Sequence, residues 1–263
     1  MGSSGRRRRK KSWWQQKRGG APMWGWLVIA AGIVAACVLL AVAATRPTPS
    51  SSAAPYTPPP ATSTTDAAAE PAADMSRVRD ALFIGDSWTF GTAATPVTDG
   101  FAYEVGRRLS IPVEVHGYGS VGYLNAGRDG GGTYSQRWAR TQVSNPNPDL
   151  VVVEGSQNDL GQRGSLTGAA RAFIAQLAEQ FPNAQIVIVG PAPATPELIT
   201  GLQQIDSNLT RATYQQKVPY ISPLKERWFT ARNVGDYMTT VNPHPTTAGH
   251  SYYADRLIAS LRG

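Results

Sequence analysis

The sequence predicts an α/β domain in which a parallel sheet is covered by helices on both sides. Three observations carry that reading. Strand-length apolar runs alternate with helix-length stretches from about residue 75 to the end, and the connections between them are short. The first run, Ala81-Leu82-Phe83-Ile84, is too short for a helix, is bounded by turn residues and lacks polar alternation, which suits a strand buried on both faces. In the last helical stretch Tyr253, Leu257, Ile258 and Leu261 recur at helical spacing and mark a buried face.

The chain has 263 residues with a net charge of +7, but the charge is unevenly placed. Arg6 to Arg9, Lys10, Lys11, Lys17, Arg18 and Arg46 put nine of the 25 cations before residue 47, with no acid among them. The remainder holds 16 cations against all 18 acids, so the basic balance belongs to the tail and gives no reason to expect the folded part to bind nucleic acid. Residues 1–22 read as a basic cytoplasmic tail. Residues 23–45 are uncharged and rich in Leu, Val, Ile and Ala, with Trp24 and Trp26 at one edge, long enough to cross a bilayer core of ~30 Å. Cations before that segment and essentially none just after it place the N-terminus in the cytoplasm and the bulk of the chain outside the cell membrane.

Two processing routes compete with a retained anchor. Ala41-Val42-Ala43 resembles a signal-peptidase site, which would give a secreted form, and Val34-Ala35-Ala36-Cys37 loosely matches a lipidation motif. Cys37 is the only cysteine, which excludes an intrachain disulfide and a cysteine metal site. Residues 46–74 are mostly Pro, Ala, Ser and Thr, including Pro58-Pro59-Pro60, and read as an extended stalk.

Residues 75–263 form the domain. Strands are expected over 81–84, 112–116, 150–154, 185–190 and 218–221, and helices over 100–109, 134–142, 166–181, 196–216 and 248–261. The first strand ends in Gly85-Asp86-Ser87, placing a serine just past a strand's carboxyl end, where open α/β sheets bind ligands. The second strand feeds Gly117-Tyr118-Gly119-Ser120-Val121-Gly122, which formally matches a dinucleotide fingerprint. The glycines that follow break any helix and no acid stands about 20 residues on, so the stretch reads instead as a loop whose N–H groups can approach a ligand closely. The third strand ends at Glu154-Gly155-Ser156-Gln157-Asn158-Asp159, where a side-chain amide can donate to an oxyanion or an Asx turn can cap the next segment.

Three histidines bound the search for a base. His116 closes the second strand and reads as structural. His250 falls inside the last helix, as an interface or surface residue. His244, in Asn242-Pro243-His244-Pro245 directly before that helix, is the one fixed by flanking prolines near the sheet's edge. No G-x-S-x-G elbow occurs, which argues against an α/β-hydrolase host for the serine.

Serine, glycine, asparagine and histidine stand in that order at loops after successive elements, and this order resembles the SGNH hydrolases, also called the GDSL esterase/lipase family. Gly85-Asp86-Ser87 is similar to the first block, Gly122 to the glycine of the second, Asn158 to the asparagine of the third, and His244-Pro245 to the last. The resemblance spans essentially the whole domain. It implies a flavodoxin-like three-layer α/β/α fold with a five-stranded parallel sheet, Ser87 as nucleophile, His244 as its base, and an oxyanion hole formed by the Ser87 and Gly122 amides with the Asn158 side chain. It implies no metal and no cofactor.

Two positions depart from the family pattern. Val241 stands where the family usually has the acid that orients the histidine, and Ser156 stands where a glycine usually precedes the asparagine. Either a backbone carbonyl orients His244, or Asp236 does so from eight residues upstream, or the site is weak. The resulting expectation is a membrane-tethered extracytoplasmic serine esterase acting on short O-acyl esters of envelope glycans or lipids. An acyltransferase with the same serine and histidine, or a catalytically weak binding domain of this fold, are the alternatives.

Overall fold

The computed structural model describes residues 73–263 and, within a separate unit spanning Met1–Thr65, the antiparallel backbone pairing of Lys17–Arg18 with Ala21–Pro22. The expected membrane segment over 23–45, its leader and lipidation motifs and nearly all of the expected stalk lie outside the described residues. Among the described residues no helix is long and apolar enough to cross a membrane. At the end of the expected stalk, Asp74 is already docked, its N–H donating to Gln185 Oε1 (2.6 Å) and its carbonyl accepting from Gln185 Nε2 (2.9 Å).

Five strands form one parallel sheet: β1 Ala81–Gly85, β2 Val113–Gly117, β3 Leu150–Glu154, β4 Gln185–Val189 and β5 Tyr220–Ile221, in the order β2-β1-β3-β4-β5. The order reverses beside β1, which opens a crevice beyond the carboxyl ends of β1 and β3. The helices are α1 Ser87–Phe90, α2 Phe101–Leu109, α3 Tyr134–Trp138, α4 Leu166–Gln180, α5 Leu198–Gln216, α6 Val234–Tyr237 and α7 Thr247–Arg262.

The period-two alternation of the strands divides the core into two layers. Ala81, Phe83, Leu150, Val152, Val187 and Val189 pack with α2 and α7 on one side. Leu82, Ile84, Val151, Val153, Ile186 and Ile188 pack with α3, α4 and α5 on the other. Because both faces are covered, β1 and β3 are buried at every residue, which is why their sequences are continuous apolar runs.

The expected elements are found with two shortenings. The helix anticipated over 134–142 runs only Tyr134–Trp138, opened by a capping box between Thr133 and Gln136 and closed into turns after Ala139. The last strand is two residues instead of four. The four-residue helices α1 and α6 were not anticipated, since one turn carries no periodic signal.

Of the two expectations for His250, the surface one is corrected and the interface one is met, because it is fully buried between elements. Its Nδ1 accepts the Phe101 N–H that opens α2 (3.2 Å), and its Nε2–H donates to the Thr92 carbonyl (3.0 Å), so it ties α7 to α2 and to the loop after α1. A ring that accepts at one nitrogen and donates at the other is neutral, and burial pushes its pKa down from the usual value. The folded state therefore binds this proton less readily than the unfolded chain does. The bond network is fully formed above about pH 6.5, where the unfolded imidazole is neutral, and its contribution declines as acid is added below that. Thermal unfolding of the wild type and of His250→Asn should differ most above pH 7, and the gap should narrow by up to ~1.4 kcal/mol per pH unit below 6.5. A gap that stays constant from pH 7.5 to 5 would show that His250 is not the neutral buried acceptor.

Candidate active site

The site begins with the turn after β1. Asp86 caps α1, its Oδ1 accepting the Trp88 N–H at 2.8 Å, so Ser87 becomes the first residue of that helix. Gly85 makes this turn possible: a Cβ there would collide with Thr89 and with the Glu154 carbonyl (2.7 Å). Trp88 is buried edge-on against Phe229 and Tyr253, and Thr89 Oγ1 donates to Glu154 Oε2 at 2.7 Å. The serine thus stands on a one-turn helix pinned into the core by Trp88 and to the end of β3 by Thr89.

His244 is delivered by the loop before α7. Thr239 N–H donates to the His244 carbonyl (2.9 Å), His244 N–H donates to Thr239 Oγ1 (3.0 Å), and Thr246 N–H donates to the Tyr237 carbonyl (2.8 Å). The imidazole Nε2 lies 2.9 Å from Ser87 Oγ. Its Nδ1 lies 2.7 Å from the backbone carbonyl of Asn242, a residue in the left-handed region with φ 52°. A carbonyl only accepts, so Nδ1 carries the ring proton and Nε2 presents its lone pair to the serine hydroxyl.

Of the three options for orienting His244, the structure shows the backbone carbonyl. Asp236 is exposed in α6 and makes no side-chain hydrogen bond among the described residues, so it is corrected as the orienting acid. Val241, at the position of the usual acid, is 83% exposed.

The two remaining expected oxyanion donors are placed differently from the expectation. The Gly122 N–H donates to the Asn125 carbonyl (3.0 Å), and Gly122 sits directly beneath the Asp159 carboxylate, with which a Cβ would collide. It is a close-approach glycine, not a free donor. Asn158 does line the cleft beside Ser87, but its Nδ2 donates both to Asp86 Oδ2 (2.9 Å) and to the Val121 carbonyl (3.1 Å). Gly119 and Ser120 line the same cleft, with Ser120 left-handed at φ 59°, and their N–H groups have no partner among the described residues. The Ser87 N–H, at the start of α1, is equally unpartnered there.

Asp159 was read only as part of a turn, and it is the hub of this wall. Its carboxylate accepts the N–H groups of Tyr123, Leu124 and Asn125 at 2.8–3.0 Å and the Ser156 hydroxyl at 2.8 Å, which fixes the loop after β2 against the end of β3. Ser156 is left-handed at φ 88°, which explains why a glycine suits that position and how serine serves there, through its bond to Asp159. An acid directly after Asn158 at a strand's carboxyl end was the available signal.

Three buried carboxyls therefore lie under the site, Asp86, Glu154 and Asp159. Burial pushes Asp86 up to about 7, opposed by the Trp88 N–H and reinforced by the Asp159 charge. Burial, and then the Asp86 charge, hold Glu154 well above the usual carboxylate range. Among the described residues no group of three or more His, Cys, Asp or Glu is arranged to hold a metal ion. The cleft, of about 360 Å³, is open to solvent and combines hydroxyl, amide and cationic groups with the apolar sides of Trp88, Leu198 and Pro243.

Glu154 gives a direct test of this electrostatic picture. Its raised folded-state pKa means that the protein retains a proton the unfolded chain releases near pH 4.3, so stability is lost as pH rises from there toward the folded value. Glu154→Gln keeps an acceptor for Thr89 and does not titrate. Its stability relative to wild type should improve with rising pH from 4.5 to 7, by up to ~1.4 kcal/mol per unit in chemical denaturation. A pH-independent difference would contradict a buried neutral carboxyl. Gly122→Ala, by contrast, should cost about 1–3 kcal/mol of stability at every pH, through the Asp159 collision.

Comparison with known proteins shows the family. The model of the GDSL-like lipase/acylhydrolase family matches residues 83–252, from within β1 into α7. A GDSL lipase of Mycobacterium tuberculosis is 25% identical over 191 residues, covering 69% of this chain and 80% of that protein. Two solved esterases share the fold. An active-site mutant of a family two carbohydrate esterase from Clostridium thermocellum has TM-score 0.56 and 22% identity, covering 70% of this chain and 63% of its own. A two-domain esterase active on acetylated mannans has TM-score 0.56 and 16% identity, covering 70% and 48%. With the family pattern matched across the sheet and the serine and histidine in contact, the chain belongs to the GDSL-like lipase/acylhydrolase family and is a hydrolase of the SGNH type.

Proposed function

We propose that the chain is a serine esterase that removes short acyl groups from O-acylated glycans or lipids of the cell envelope, tethered outside the membrane by its N-terminal segment. The single observation that carries the chemistry is the 2.9 Å contact between Ser87 Oγ and a His244 whose other nitrogen is held by a carbonyl. Ser87 attacks the ester carbonyl as its proton passes to His244 Nε2, the alcohol leaves with that proton, and water activated by the same nitrogen releases the acid. The negative charge that develops on the carbonyl oxygen is met by the Ser87 N–H and by the free N–H groups of Gly119 and Ser120, which line the same cleft. In this reading Asn158 holds Asp86 and Val121 together, and so shapes the wall that carries those donors.

Two observations support the substrate class, and a third supports the tether. The cleft is small and polar, with no long apolar channel among its lining residues. Two fold relatives are carbohydrate esterases, one of them active on acetylated mannans. The tether rests on residues 23–45, an uncharged apolar stretch following a 22-residue tail that carries eight cations and no acid.

The decisive experiment is hydrolysis of p-nitrophenyl acetate and of acetylated oligosaccharides by the purified protein beside its variants. Ser87→Ala and His244→Ala should each lower kcat by roughly 10³-fold or more, to the same floor, because the two act as one unit. Asp236→Asn should leave kcat/KM unchanged, since the Asn242 carbonyl already occupies Nδ1. A large loss in Asp236→Asn would mean that the acid swings onto the imidazole in turnover. No hydrolysis above the Ser87→Ala level would defeat the esterase reading.

A further inference from the structure

The cleft beside Ser87 contains one guanidinium with no acidic partner among the described residues. Arg128 lines it, is exposed, and neither donates a hydrogen bond nor meets a carboxylate at ion-pair distance among the described residues. The loop that carries it is fixed by other groups. Arg137 donates through Nε to the Gly132 carbonyl (2.8 Å) and through Nη2 to the Ala126 carbonyl (3.2 Å), and its carbon Cζ lies 5.4 Å over the Tyr118 ring. Arg140 donates to the Gly131 carbonyl, and Gly132 N–H closes on the Ala126 carbonyl at 3.0 Å. Asp129, the acid next to Arg128 in sequence, is taken by Arg137.

The acid on the cleft wall does not compensate Arg128 either. Asp86 is 3% exposed, and its two oxygens face the Trp88 N–H and the Asn158 amide. A clamped loop thus presents an unpaired guanidinium to the space where an ester must lie to reach Ser87. A planar fork of donors with no internal acceptor matches a carboxylate or phosphate, and the clamped backbone that carries it reduces part of the ordering cost of binding.

From this arrangement we infer that Arg128 is a specificity-determining residue that binds an anionic group carried by the substrate, so that the preferred substrates are acyl esters bearing a carboxylate or phosphate near the scissile bond. The inference rests on the esterase reading above and adds the charge class of its substrate.

Matched ester pairs test it, with rates taken in excess of the Ser87→Ala background. For the alcohol half the pair is p-acetoxybenzoate and the neutral p-acetoxybenzamide; for the acyl half it is mono-p-nitrophenyl succinate and the neutral p-nitrophenyl succinamate. In at least one pair the anionic member should have the higher kcat/KM by about tenfold or more at low salt. That preference should shrink with added salt, collapse in Arg128→Gln, and reverse in Arg128→Glu. The pair that responds locates the anion on one side of the ester. Ratios near one in both pairs, or a preference that survives Arg128→Gln, overturn the inference while Ser87-dependent hydrolysis of the neutral esters still stands. Should no ester be turned over, the esterase reading falls, and calorimetric binding of the same pairs to Ser87→Ala decides the anion site separately. Tighter binding of the anionic member that Arg128→Gln removes in that background supports it; equal binding overturns it.

Discussion

The site depends on the bond between His244 Nδ1 and the Asn242 carbonyl. Imidazole has two tautomers, and only the one protonated at Nδ1 leaves a lone pair at Nε2 to receive the serine proton. A carboxylate selects that tautomer because it only accepts, and a backbone carbonyl does so for the same reason. The cost is conformational: Asn242 must sit at φ 52°, a region that asparagine enters more readily than most residues. The surrounding loop sustains it, through the mutual bonds of Thr239 with His244 and the closure of Thr246 on Tyr237. Asparagine at 242 and prolines on both sides of His244 are the local chemistry that makes an acid unnecessary for orientation.

Below the serine the protein does something electrostatically unfavourable. Three carboxyls are buried within one wall, and charge repulsion together with desolvation keeps Asp86 and Glu154 more protonated than free acids. They persist because each one organises backbone. Asp86 caps α1, Glu154 receives Thr89, and Asp159 gathers the N–H groups of three consecutive residues. Backbone donors freed from the sheet at its carboxyl edge require acceptors, and short acids supply them where no further strand can. The outcome is a stiff rim around Ser87, as a preorganised site requires.

Much of this was legible in the sequence. Strands buried on both faces are read as apolar runs, so Leu150–Glu154 was placed to the residue and the sheet's class followed. Ser87 and His244 were found because each is a polar residue at a loop with fixed backbone, one after a strand and one between prolines. What escaped was whatever depends on close approach across the chain. Gly122 matched a pattern by position, yet the pattern does not record that its N–H turns to Asn125 and that its missing Cβ makes room for Asp159. For His250 the sequence leaves interface and surface both open, because periodicity says which face of a helix is covered, not that Phe101 N–H needs an acceptor there. Arg128 was passed over because a charge in a glycine-rich loop is ordinary until its neighbours Arg137 and Arg140 are seen to be engaged and it is not.

Replacing an acid by a carbonyl also bears on how fast the site can work. An orienting acid does two things: it fixes the tautomer, and its charge stabilises the imidazolium that forms as the serine proton moves. Changing such an acid to its amide costs ~10⁴ in turnover mainly because the wrong tautomer is favoured. Here the tautomer is kept, so that penalty does not apply; what is missing is the charge. A carbonyl dipole offers less to an imidazolium than a full negative charge does, and Asp86 and Glu154 beneath Ser87, their pKa values raised by burial, compensate little. The site should therefore be competent and slower than one with a charged third member. A modest chemical step is best matched to short, sterically open acyl groups, where the carbonyl is easily reached and positioning decides selectivity.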